Sequence, residues 1–190
     1  MNILISPLRN GHFYFRSDST LIRALTDFYI PDYVDSVSAV PVLCFRSERS
    51  GKSVPARFAP RYMGPFTCGI IIKADINTVV TQESDRTFIQ NALDYSTVIP
   101  YDLIPIEKAA TYLSESRPYI IKINGLVKSS VTSLPSAQEL YMRFENISRY
   151  CSVRTGDFIA FELDDPVELP RNSHLTADFG IEGRISVIIH

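Results

Sequence analysis

The sequence predicts an α+β fold: a strand-rich mixed β-sheet, rolled into a barrel-like body, with a few short helices. Three observations lead there. Strand-like apolar runs outnumber helical patterns along the 190 residues. Two of those runs, 37–45 and 67–74, are nearly continuous, the pattern of strands covered on both faces. Asn124-Gly125 lies between apolar segments 119–123 and 126–131, a strong signal for a two-residue hairpin.

The remaining elements follow in order. Residues 2–6 form a short apolar strand and 13–16 an aromatic one. Residues 157–163, after the Thr155-Gly156 turn, alternate in part, and 185–189 supply another strand. Residues 17–25 read as a helix or a loop, and 54–62 as a short helix with Pro55 in its first turn. Residues 85–93 read as a helix capped by Asp85. The strongest helix is 136–150, where Ser136 and Glu139 have capping-box spacing and Leu140, Phe144 and Ile147 make an apolar stripe. No repeat divides the chain, so residues 1–190 are expected to form one domain.

Composition narrows the function classes. Hydrophobic residues make up 45% and charged residues 21%, as in ordinary globular proteins. The formal net charge is -2 without a basic block, which argues against nucleic acid or an anionic membrane as partner. No apolar run is long enough to span a bilayer, and the start lacks a signal-peptide pattern. Cys44, Cys68 and Cys151 are scattered, odd in number and form no Cys-x-x-Cys pair. They read as buried thiols of a cytoplasmic protein.

Five segments, in order, resemble the fumarylacetoacetate hydrolase family. They are Phe28-Tyr29-Ile30-Pro31-Asp32-Tyr33; Gly51-Lys52-Ser53-Val54 with Arg57-Phe58-Ala59, Arg61-Tyr62 and Thr67-Cys68-Gly69-Ile70; and Leu93-Asp94-Tyr95-Ser96 with Val98-Ile99-Pro100. Ile121-Lys122-Ile123-Asn124-Gly125 follows, with Ser133 and the helix after it, and then Arg154-Thr155-Gly156-Asp157-Phe158-Ile159. The resemblance covers the chain from about Phe15 onward. It implies the family's roll and, in active members, metal-dependent hydrolysis, decarboxylation or tautomerisation of 2-oxo or β-dioxo acids. A divalent cation such as Mg²⁺ there needs carboxylate oxygens. The family supplies them as a Glu-x-Glu pair on one strand and an Asp on its neighbour, and the ion stabilises the substrate's enolate.

This chain departs from that pattern at each ligand. Laid on the family pattern, Val40 and Val42 fall at the Glu-x-Glu positions and Ile71 at the Asp. Asn91 stands for a family lysine, and Glu162-Leu163-Asp164 for a Gly-Thr-Pro turn. The catalytic lid segment is reduced to residues 6–12. Val40, Val42, Ile71, Asn91 and Leu163 therefore mark a vestigial pocket, with no metal site and no cofactor expected. The resemblance further implies a homodimer or a heterodimer with a paralogue, and a small carboxylate as ligand class. A non-catalytic binding or assembly protein is the first expectation. The alternative is metal-independent hydrolase, decarboxylase or isomerase chemistry on a small oxo-acid.

Three residues are candidate catalytic groups for that alternative: His12, Asp94 and Glu162. Each has a plainer reading. His12 is then a surface-loop histidine and Asp94 a group orienting local backbone. Glu162, with Asp164, Asp165 and Glu168, could offer oxygen ligands to a cation, and its plainer reading is a solvated strand end and turn. His174 and His190 have no ligand partner at useful spacing, and Cys44 reads as an inert buried thiol.

Overall fold

The computed structural model describes residues 1–9, 12–22, 27–76, 82–114, 118–179 and 185–190, with backbone only at 110, 113 and 114. Twelve strands and three α-helices are described. The strands are β1 (Asn2–Ser6), β2 (Tyr14–Ser17), β3 (Leu21–Ile22), β4 (Val34–Ser47), β5 (Met63–Ile76), β6 (Thr97–Val98), β7 (Tyr119–Ile123), β8 (Leu126–Val131), β9 (Phe158–Glu162), β10 (Val167–Leu169), β11 (Ser173–Asp178) and β12 (Ile185–Ile189). The helices are α1 (Arg86–Ala92), α2 (Ala109–Ser114) and α3 (Ala137–Tyr150). The fold is thus the strand-rich α+β architecture that the sequence predicts.

Eight strands form one mixed sheet in the order β2-β1-β9-β4-β5-β6-β3, with β10 beside β4. Four more form a second sheet, β12-β11-β7-β8. The long β4–β5 antiparallel pair is the spine. Both of its faces are covered, which explains its two apolar runs. Successive side chains point to opposite faces. Val37, Ala39, Leu43 and Phe45 accordingly enter the main core, and Val40, Val42 and Cys44 a second, smaller one. The same alternation sends Ile159 and Phe161 of β9 to the main core, and Phe158 and Ala160 to the smaller one.

Pro41 lies inside this central strand, where proline is rare because it cannot donate to the ladder. Its position resolves the conflict. β10 pairs with Val37, Ser38 and Ala39, whereas β9 pairs with Val42 through Arg46. Pro41 falls where one partner gives way to the other, and its carbonyl accepts Leu163 N at 2.9 Å across that junction. Gly69, opposite Val42, is required by close approach: an added Cβ would lie 2.7 Å from Val98 O.

Local expectations fare differently. The hairpin forms with Asn124 and Gly125 at φ 51° and 80°, as a type I′ turn demands. Ser136 caps α3 by accepting Glu139 N, and Leu140, Phe144 and Ile147 are buried. Asp85 does not cap α1 with its side chain, because its own backbone is already helical. Residues 54–62 form a 3-10 helix, Ala56–Arg61, which Pro55 precedes in extended conformation. Only Asp18–Thr20 of the 17–25 segment is a 3-10 turn, followed by β3, and residues 23–26 lie outside the described set. No described helix is long and apolar enough to cross a membrane.

Candidate functional site

The ligand positions implied by the resemblance come together, and they come together as core. Val40 faces Ile71 across the β4–β5 ladder, and Val42 is one step along the same face. All three are 0% exposed and belong to a single cluster with Ile3, Ile5, Cys44, Ile99, Phe158 and Ala160. None carries a donor atom. Burial pushes the Cys44 thiol up, so it stays protonated within this dry floor.

A polar rim borders the floor. Glu162 pairs with Val42 across the β4–β9 ladder and is buried. Its Oε1 meets the Lys73 ammonium at 2.6 Å and accepts from the Tyr14 hydroxyl at 2.7 Å. Lys73 follows Ile71 by two residues on β5, hence on the same face. Its ammonium also lies 5.5 Å from the centre of the Tyr14 ring. Burial, then the charge of Glu162, holds the Tyr14 hydroxyl well above the ordinary tyrosine range.

Arg16 reaches the rim from β2. It is 2% exposed. Its Nη atoms donate to Ser96, Thr97, Ile72 and Gln90, all neutral oxygens. Its Nε has no hydrogen-bond partner among the described residues. Burial lowers the affinity of Arg16 for its proton, and the nearby Tyr14 and Glu162 groups oppose that. On the other side, Arg143 of α3 donates to Ser6 O, Pro7 O and Glu162 O and so ties β1 to the end of β9.

Next to the rim, between β2, the end of β5 and α1, is a cavity of about 1050 Å³. His12, Arg16, Lys73 and Asn91 line it, with Phe13, Phe15 and Phe88 among its apolar walls. Neither Val40, Val42 nor Ile71 does.

Among the candidate residues, His12 and Asn91 therefore meet at one cavity, and Glu162 is one contact away through Lys73. Asp94 lies in an exposed turn and does not line it. Leu163 packs into the main core instead of the smaller cluster that holds Val40, Val42 and Ile71. The reading of Glu162 as part of a solvated strand end is corrected. It is buried and ion-paired, whereas Asp164 accepts from Ser129 and Asp165 and Glu168 are exposed. Among the described residues, no group of three His, Cys, Asp or Glu side chains is arranged to hold a metal ion. The lid segment, 6–12, includes residues 10 and 11, which lie outside the described set. Asp157 of the Gly-Asp motif is structural: its two oxygens accept Asn2 N and Arg154 N.

Sequence reasoning missed Arg16, Lys73 and Tyr14. The available signal was weak but real: Lys73 is the only charge in the run 66–74, two residues from Ile71.

No protein-family model matches the sequence, and no curated protein matches it. Solved structures do match in fold. A protein from Yersinia pestis CO92, described as of the fumarylacetoacetate hydrolase family, superposes with a TM-score of 0.76 at 14% identity, over 100% of this chain and 92% of its own. Fumarylpyruvate hydrolase from Pseudomonas aeruginosa, solved with Mn²⁺ and pyruvate, gives 0.75 at 14% identity, over 100% and 89%. A 5-carboxymethyl-2-hydroxymuconate delta-isomerase from Mycobacterium smegmatis gives 0.75 at 14%, over 99% and 76%. At such identities the likeness establishes the fold, and the fold is that of fumarylacetoacetate hydrolase family proteins.

Proposed function

We propose that this chain is a non-catalytic member of the fumarylacetoacetate hydrolase family that serves as a binding or assembly protein. One observation carries the reading: Val40, Val42 and Ile71 are fully buried in a single apolar cluster where the family would hold its cation. The residues present do not fit a divalent ion. A hard cation needs several oxygen ligands, and the carboxylate opposite Val42, Glu162, is already held by Lys73 and Tyr14. The proposed partner is a second copy or a paralogue, and the proposed setting is cytoplasmic, in keeping with three free cysteines. No cofactor is part of the proposal. Calorimetric titration with Mg²⁺, Mn²⁺ and Ca²⁺ tests it. Heat changes no larger than dilution are expected; stoichiometric micromolar binding would overturn it.

The cavity favours a second reading, metal-independent chemistry on a small oxo-acid, because His12 and Asn91 face it beside the Lys73–Glu162 pair. A screen with oxaloacetate and acylpyruvates separates the two. Turnover that His12→Ala abolishes and Asp94→Ala leaves intact would favour chemistry; none with any substrate would leave the binding reading standing.

A further inference from the structure

The cavity beside the rim has an asymmetric wall. Its basic groups are Arg16 on β2, Lys73 on β5 and His12 just before β2, while Phe13, Phe15 and Phe88 offer aromatic surface. Among the described residues, none that lines the cavity is acidic. Phe15 is 63% exposed and Phe88 73%, and both lie on the cavity wall. Lys73 spends one contact on Glu162, and an ammonium has three donors, so two remain. Arg16 adds a second positive charge that is buried, and its Nη atoms donate to neutral oxygens. Low-dielectric walls focus the potential of Lys73 and Arg16 on the cavity, with Glu162 offsetting part of it from behind Lys73. A volume of about 1050 Å³ is ample for a small organic molecule.

We infer that this cavity binds an amphipathic monoanion, its carboxylate on the Lys73 ammonium and its aryl body against Phe88 and Phe15. Glu162 positions the ammonium, so a charge internal to the chain supplies the anion anchor. Hydrophilic dianions suit the site less, since of the Lys73 and Arg16 cations only Lys73 is appreciably open to the cavity, at 35% exposed against 2% for Arg16. The inference rests on the reading that the site works without a metal.

Isothermal titration with 4-phenylbutyrate, its neutral amide and acetate, all in chelator, tests it on the full chain. The expected Kd for 4-phenylbutyrate is on the order of 10–100 μM. The amide and acetate should each bind at least about tenfold more weakly. Lys73→Met should bring the acid down to the level of the amide, and Lys73→Arg should retain binding. Phe88→Ala, at an exposed position that leaves the fold intact, should weaken acid and amide alike. Equal affinity for acid and amide, or binding untouched by Phe88→Ala, would overturn the inference. If Lys73→Met fails to fold, Lys73→Arg and Phe88→Ala still decide it. Stoichiometric metal binding in the separate titration would sink the metal-free reading, while the chelator experiment would judge the cavity on its own.

Discussion

Floor and rim occupy the same face of the same strands and are built in opposite ways. On the floor, Val40, Val42 and Ile71 pack with no polar atom among them. At the rim, one step across from Val42, Glu162 is buried yet keeps its charge partner, Lys73, and the Tyr14 hydroxyl. A buried carboxylate is tolerated where an ammonium and a donor stand ready, because desolvating an unpaired charge is expensive. Where no such partner exists, only apolar side chains are stable. The difference teaches that an all-apolar floor within the sheet and a paired carboxylate at the end of β9 follow one rule of compensation.

Four substitutions can break or sharpen that contrast. The largest effect is expected from Val42→Glu, which puts an unpaired carboxylate in the floor. A loss of roughly 3–5 kcal/mol is expected, read as a fall in Tm of ~10 °C or more. Recovery of the lost Tm on adding Mg²⁺ would mean that the floor can still act as a ligand shell. Next is Lys73→Met, which strands Glu162. A loss of about 2 kcal/mol is expected in urea unfolding, below the value for a fully buried pair because Lys73 is one-third exposed. The double variant Lys73→Met/Glu162→Leu should recover most of that loss; a double variant no better than the single would contradict compensation.

Ile71→Val should cost about 1 kcal/mol through a small cavity, with an unchanged denaturant slope. A stabilising effect would show that the floor is overpacked. Tyr14→Phe should cost as little, about 1 kcal/mol at neutral pH, through the lost hydrogen bond to Glu162. It also has a pH signature. Burial raises the Tyr14 pKa in the folded state, so the unfolded chain ionises first, near pH 10. Folded Tyr14 then binds more protons than unfolded Tyr14, and stability falls as pH rises through that window. The phenylalanine variant should show a shallower alkaline decline; an identical slope would mean that Tyr14 titrates as if exposed.

Much of the spine could be read from the chain, because burial on both faces leaves continuous apolar runs and a period of two assigns Val40, Val42 and Ile71 to one face. The hairpin was legible because Asn-Gly fits the turn's positive φ values. The rim was not. Glu162 meets Val42 only because β9 pairs with β4, a partnership set by topology between residues 120 positions apart, which local pattern cannot reveal. Arg16 sits in an aromatic run that looks like any edge strand, and its hydrogen bonds come from three distant segments. β11 was missed for a related reason: its inward Leu175 and Ala177 are separated by His174, Thr176 and Asp178, and too few strong strand formers remain to mark it.

The first strand has a consequence in time. β1 pairs with β2 on one edge and in parallel with β9 on the other, and Asn2 N is held by Asp157. During synthesis the β1–β2 hairpin can close as soon as Ser17 is available. Its other edge has no partner until residues 158–161 emerge, roughly 7–30 s later at ordinary translation rates. For that interval Ile3, Leu4 and Ile5 present an open apolar edge, the kind that recruits neighbouring chains. A nascent-chain chaperone would find its target there.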